Sequence, residues 1–225
     1  MTLRSAGHTS PVTVGGGTLE LSHTGAEVMT SGTITVNNGG TLRGSGMAQQ
    51  VVVNKGGIIM GGITDAGVGK LRIGGNLTLN SGSKLLCRLS ATSNSLIEVT
   101  GSIAHEGDTI MLYIPAERAL QEGDEIRVVT AASQTGEFVL KVVSEGDIYE
   151  FDTSALLSSG TLRVTSAISV IRDIFASDTP IDLYGADGSK LRSATPYRQA
   201  IDGLSVGVYI VRRPNGRTYK LRIGN

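Results

Sequence analysis

The sequence predicts an all-β chain: a right-handed parallel β-helix over residues 1–166 followed by a small β-module over residues 167–225. Three observations lead there. A Gly-centred phrase recurs through the first hundred residues, the composition suits short strands and tight turns, and the closing segment changes to hairpin-like strands.

The composition sets the class. Glycine supplies 31 of 225 residues, while Phe, Tyr and Trp together make up 4% and Trp is absent. Gly, Thr, Ser and Val dominate, a mixture that favours strands and corners over long helices. Lys plus Arg equals Asp plus Glu at 20 each, so no global field attracts nucleic acid or an anionic membrane. No run of apolar residues is long enough to span a bilayer, and "MTLRSAGHTS" has neither the apolar core nor the cleavage site of a signal peptide. Neither nucleic-acid binding nor membrane insertion is expected. The single Cys87 reads as a small buried apolar residue.

The repeat comes next. "TVGGGTLEL", "TVNNGGTLRG", "VVNKGGIIMG" and "TLNSGSKLLC" share one pattern: an apolar-x-apolar run, a Gly/Asn/Ser corner, and a β-branched or aliphatic pair. Their turn glycines, Gly16, Gly39, Gly56 and Gly82, are spaced 23, 17 and 26 residues apart. Strands this short cannot bury a face alone, so stacked coils are the expected solution. Ile34, Val36, Leu42, Val51, Val53, Ile59, Leu71, Ile73, Leu77, Leu79 and Leu85 then stack inward as ladders. A β-sandwich or meander with Gly-rich hairpins is the alternative. The first coil, "PVTVGGGTLEL", carries no cap, which creates the expectation of further coils or a cap before it.

Residues 96–165 continue as longer strands, read as wider coils that cap the solenoid. Ala116 to Gln121, stopped by Gly123, is the one expected helical turn. The "EGD" segments at Glu106, Glu122 and Glu145 are expected to be solvated acidic turns, with a weak Ca²⁺ role as the alternative. The boundary falls between Ser166 and Ile174. Beyond it, "TPIDLYGADGSKLR" and "IDGLSVGVYIVRRPNGRTYKLRI" hold three or four strands that either lean on the solenoid end or form an Ig-like sandwich.

Two resemblances follow from these phrases. "GGNLTLNSGSKLLCRLSATSNSLIEVTGSIAHEGDTIMLYI" with "GDEIRVVTAASQTGEF" resembles the distal part of autotransporter-type passenger β-helices, over about residues 70–140. That implies a secreted or surface scaffold and no chemistry. The tail is similar to the C-terminal sorting domain of the type IX secretion system of Bacteroidetes. Tyr184, Gly188 and Leu191 match its first motif, Leu204, Gly207, Tyr209, Ile210 and Val211 its second, and Gly216, Lys220, Leu221 and Ile223 its last. The tail is short for the full family domain unless it begins near Ile168. The resemblance implies an Ig-like β-sandwich that outer-membrane export machinery recognises.

Chemistry is sparse. Between residues 12 and 100 the acids are Glu20, Glu27, Asp65 and Glu98, and none recurs at a spacing that stacks two carboxylates. His8, His23 and His105 are dispersed, with no metal-ligand spacing. "DAGVGKLR" fails as a phosphate loop because Thr64 takes the first Gly position and Leu71 follows Lys70. Arg212 and Arg213 read as edge-strand charges that block aggregation. The tyrosines are read as packing residues rather than sugar platforms. No cofactor or catalytic residue is expected. The expected function is a non-catalytic stalk with a sorting tail on a secreted or surface protein; the alternatives are an adhesin segment binding surface glycans or proteins, or the end of a carbohydrate-active β-helix enzyme.

Overall fold

The structure is a computed structural model that describes residues 1–3, 7–22, 28–62, 67–168, 180–213, 216 and 218–223. His23, Glu27, Thr64, Asp65 and the predicted boundary's Ile174 lie outside the described residues. The chain divides into two compact units, Met1–Glu145 with Tyr149–Thr165 and Gly146–Ile148 with Ser166–Asn225.

Strands dominate the first unit. They are β1 (Thr2–Leu3), β2 (Val12–Val14), β3 (Gly17–Leu21), β4 (Val28–Val36), β5 (Gly40–Gly44), β6 (Met47–Val53), β7 (Ile58–Gly61), β8 (Lys70–Ile73) and β9 (Leu77–Leu79). They continue as β10 (Lys84–Arg88), β11 (Leu96–Val99), β12 (Ser102–Ile114), β13 (Glu125–Arg127), β14 (Val129–Thr130), β15 (Ser133–Ser144), β16 (Ile148–Asp152) and β17 (Thr161–Ile168), with the single-turn α1 (Leu156–Ser159) before β17.

Fourteen of these strands join one sheet. Its pairings are parallel and fall into three stacks, in each of which a strand lies beside the next copy of the same phrase. One stack runs β1, β3, β5, β7, β10 and the second half of β12. Another runs β2, β4, β6, β9 and the first half of β12. The third takes the start of β6, then β8, β11 and β14. β15 extends the first two stacks by pairing along β12, with a bulge between Glu106 and Asp108.

The corners explain the spacing. Gly40, Gly57 and Ser83 donate their N–H to Asn37, Asn54 and Asn80, closing one four-residue turn in three copies. The third residue of each turn is Gly39, Gly56 or Gly82, at φ +78°, +76° and +76°, a region that L side chains enter at a cost of about 1–2 kcal/mol. These corners stack directly: Gly39 donates to Gly56 O, Gly56 to Gly82 O, and Gly82 to Gly107 O. Their side chains stack too, Asn54 Nδ2 donating to Asn37 Oδ1 at 2.8 Å and Asn80 Nδ2 to Asn54 Oδ1 at 2.6 Å. A repeating asparagine thus bonds the side-chain amide of the next stacked corner.

Inside, all of the aliphatic positions predicted to form ladders are at most 1% exposed. Leu42, Ile59, Leu85 and Ile110 stand in register through β5, β7, β10 and β12. Each such side chain contributes about 1.5–3 kcal/mol on burial. Cys87 belongs to this core, and burial pushes its thiol up to about 12, so it is inert at neutral pH.

Two expectations fail here. Residues 116–121 form no helix: Leu120 turns into the core and its N–H goes to Tyr149 Oη, while Gln121 N–H is taken by Asp124 Oδ2. Tertiary partners override the helical propensity. Asp108 is not a solvated turn acid either. It is 0% exposed, because the bulge at Gly107 resets the alternation and turns it inward.

The second unit holds a four-stranded antiparallel sheet in the order β19, β18, β20, β21. These strands are β18 (Pro180–Gly185), β19 (Lys190–Pro196), β20 (Gly207–Arg212) and β21 (Thr218–Ile223), with α2 (Tyr197–Ile201) between β19 and β20. Its core is six buried residues: Ile181, Leu183, Tyr197, Ala200, Tyr209 and Val211. Arg212 pairs with both Asp182 and Thr218, so β20 is an inner strand and the expected edge position of the arginine pair is wrong for Arg212.

Candidate functional site

The sequence motifs with the sharpest spacing all fall in the second unit. β18 forms because Ile181 and Leu183 alternate with polar residues, and its turn closes by Gly188 N–H donating to Gly185 O, with Gly188 at φ +82°. Tyr184 is half-buried on β18, whereas Leu191, on β19, is exposed. Tyr209 and Val211 point into the core and Leu204 and Leu221 pack against it. Gly207 opens β20, Ile210 and Lys220 are register partners, and Ile223 pairs with Gly207. Gly216 closes the last turn on Arg213 O at φ +82°. The motif residues are therefore brought onto one sheet and its turns, with Leu204, Tyr209, Val211 and Leu221 in or against the core.

The residue that organises this sheet is not in the motifs. Opposite Asp182, the β19 register slips so that Ser193 and Ala194 bulge out. Asp182 Oδ1 accepts from Ser193 Oγ at 3.0 Å and Ala194 N at 2.9 Å, and Oδ2 from Lys190 Nζ at 2.8 Å. Lys190, then the Ala194 N–H and the Ser193 hydroxyl, hold this carboxyl well below the usual carboxylate range. Ala194 sits at φ +46°, the one non-glycine described residue with positive φ, and its N–H reaches the carboxylate in that conformation. Arg192 completes the arrangement by donating to the carbonyls of Gln199 and Asp202 at the end of α2. A cleft of about 320 Å³ opens beside it, lined by Pro180, Ile181, Asp182, Ala194, Arg212, Arg213 and Gly216. Its one carboxylate already accepts four hydrogen bonds, the fourth from the Tyr184 hydroxyl at 3.4 Å.

The first unit holds a second polar cluster, inside its core. His105 Nδ1 and Asp108 Oδ1 lie 2.8 Å apart with both side chains 0% exposed. Gln134 donates its amide to Leu156 O, which fixes its orientation and leaves Oε1 facing His105 Nε2 at 3.3 Å. With His105 and Asp108 sealed from solvent and Gln134 half-buried above them, this cluster ties β12, β15 and α1 together. An aspartate three residues from a histidine across a Gly was the available signal for it.

The described acids of the stacked strands, Glu20 and Glu98, meet bases on neighbouring strands. Glu20 pairs with Arg43 at 3.2 Å, and Glu98 with Lys70 and Arg72 at 3.3 and 3.4 Å. Such pairs are worth about 0–1 kcal/mol each. On the exterior, Ile58, Leu86, Met111, Tyr113 and Val143 line an apolar cleft of about 230 Å³, with the Arg88 guanidinium 4.6 Å from the Tyr113 ring centre.

No protein-family model matches the chain, and no curated protein matches it.

Proposed function

We propose that this chain is a non-catalytic scaffold of a secreted or surface-exposed protein: a right-handed parallel β-helix carrying a small Ig-like module that outer-membrane export machinery reads as a sorting tail. The observation that carries the scaffold half is the corner ladder, in which Gly39, Gly56, Gly82 and Gly107 bond in series while their strands stay in parallel register. A stack built this way is stiff because each coil is hydrogen-bonded to the next. For the tail, support comes from the clustering of the motif residues on one sheet. Tyr209 adds to it: its hydroxyl donates to Ser205 O at 2.8 Å, four residues upstream, the kind of corner that Ig-like sandwiches use.

The test is export of a reporter fused to residues 167–225 in a Bacteroidetes host with type IX machinery, beside the same fusion lacking residues 204–225. Surface delivery by the first and retention of the second is the expected result. Retention of both would reduce the tail to a structural module.

A second reading, a glycan- or protein-binding segment, draws on the exterior cleft around Tyr113. It requires saturable binding on a glycan array or to a surface protein, lost in Tyr113→Ala.

A further inference from the structure

The stacked strands of the first unit end at β15, and the end is uneven. Among the described residues β12 is the only strand that pairs with β15, so residues 137–142 have no pairing strand on their other side. Gln134 at its start is tied down by Leu156. Further along, Phe138, Leu140 and Val142 face inward over the stack yet are only half-buried, whereas Ile110 and Leu112 beneath them are 0% exposed. On the outer face Val139 is 61% exposed, flanked by exposed Glu137 and Lys141. Neither charge has an ion-pair partner among the described residues.

The hydrogen-bond parity of this edge is determined. Glu145 N–H donates to Ile114 O, so the odd-numbered residues of β15 turn their backbone groups toward β12. Phe138, Leu140 and Val142 therefore present N–H and C=O to the open side.

We propose that two copies of this chain pair antiparallel through the open edge of β15, about a two-fold axis at Val139. In that register Phe138 and Leu140 of one copy exchange hydrogen bonds with Leu140 and Phe138 of the other. Val139 meets its own mate as a non-hydrogen-bonded pair, the closer type, at about 4.5 Å between Cα atoms. Glu137 lies opposite Lys141 of the second copy, and Lys141 opposite Glu137, so both lone charges are matched twice by one symmetry operation. The half-buried inner side chains gain neighbours of their own kind. Beyond residues 137–141 the ladder stops, because Gly136 at φ +99° breaks the extended strand. A strip this short makes a weak dimer, populated at high concentration or where copies are held together on a surface.

Sedimentation equilibrium over a concentration series reaching the millimolar range tests this, with charge reversals as the discriminating variants. Glu137→Lys alone and Lys141→Glu alone each place like charges opposite one another twice and weaken dimerisation by at least about tenfold. The double variant Glu137→Lys/Lys141→Glu restores it to near the original constant, which also shows that these exposed substitutions do not act by unfolding the chain. Val139→Cys oxidises to a covalent dimer, since the expected Cα separation lies in the disulfide range of about 4.4–6.8 Å, while Thr135→Cys does not. A chain that stays monomeric throughout, or a dimer indifferent to both single reversals, overturns the proposal and leaves Glu137 and Lys141 as charges that guard a bare edge. Growth past two copies overturns the two-fold arrangement in favour of head-to-tail addition.

Discussion

The two units solve the same problem, burying short strands, in opposite ways. In the first, stacked strands repeat their neighbours' contacts, as in the Leu42, Ile59, Leu85 and Ile110 ladder and the Asn37, Asn54 and Asn80 ladder. In the second, six buried side chains and one aspartate hold four strands. Repetition spreads the loss from any one substitution over neighbouring strands of a stack, whereas a single small core concentrates it.

The sharpest way to break this comparison is to inflict the same damage on both. Leu85 and Leu183 are each 0% exposed, and replacing either with Ala removes about 2–5 kcal/mol. Leu183→Ala is expected to abolish amide protection across the whole β18–β21 sheet in hydrogen–deuterium exchange. Leu85→Ala is expected to reduce protection mainly in β7, β10 and β12, leaving β2 and β3 close to normal. Loss of protection through the entire first unit would show that the coils unfold as one block, and the contrast would fail.

The asparagine ladder gives the next effect. Asn54→Ala removes one donated and one accepted hydrogen bond, a loss of about 1–3 kcal/mol at roughly 0.5–1.5 each. Asn54→Asp keeps the bond accepted from Asn80 but sets a carboxylate against Asn37 Oδ1, so its loss is comparable or greater at neutral pH. Urea denaturation of both variants checks this. Equal stability to the parent would reduce the ladder to decoration on the corners.

Asp182 sharpens the comparison by pH. Folding lowers the pKa of its carboxyl, so its contribution is complete above the ordinary value of about 3.9 and is lost as the pH falls below that toward the lowered one. An NMR acid titration should show the amide signals of residues 190–195 shifting and broadening below that value. Asp182→Asn should already show the altered signals at neutral pH and change little on acidification. Identical acid limbs would mean that the bulge is held by its backbone alone.

Much of the first unit was legible because its corners obey a local rule. A glycine at positive φ two residues after an asparagine marks three of the turns, at Gly39, Gly56 and Gly82, while the first corner has no asparagine and puts Gly17 rather than Gly16 at positive φ; the spacing of 23, 17 and 26 residues still returns as the register offset between β3 and β5, β5 and β7, and β7 and β10. What escaped depended on distant partners. The bulge at Gly107 inverts the alternation and buries Asp108, a change that no reading of residues 102–110 by period two foresees. Residues 116–121 have the composition of a helix, but Tyr149 and Asp124 claim their amides. Asp182 lay two residues before a motif tyrosine and went unnoticed, since its importance comes from a register slip on the neighbouring strand.

That slip yields the smallest expected effect and the most specific one. Ala194 holds φ +46° so that its N–H reaches Asp182, a conformation that costs an L residue about 1–2 kcal/mol. Ala194→Gly relieves the strain and keeps the N–H, but adds freedom to the unfolded chain worth about 0.4–1 kcal/mol. The net expectation is a gain of about 0.5–1 kcal/mol, visible as slower exchange in β18 and β19. Ala194→Val should move the other way, because a β-branched side chain tolerates positive φ least. If glycine destabilises instead, the alanine methyl is packed usefully where it stands, and the concentration of this sheet's stability in the Asp182 carboxylate would need to be shared with its bulge.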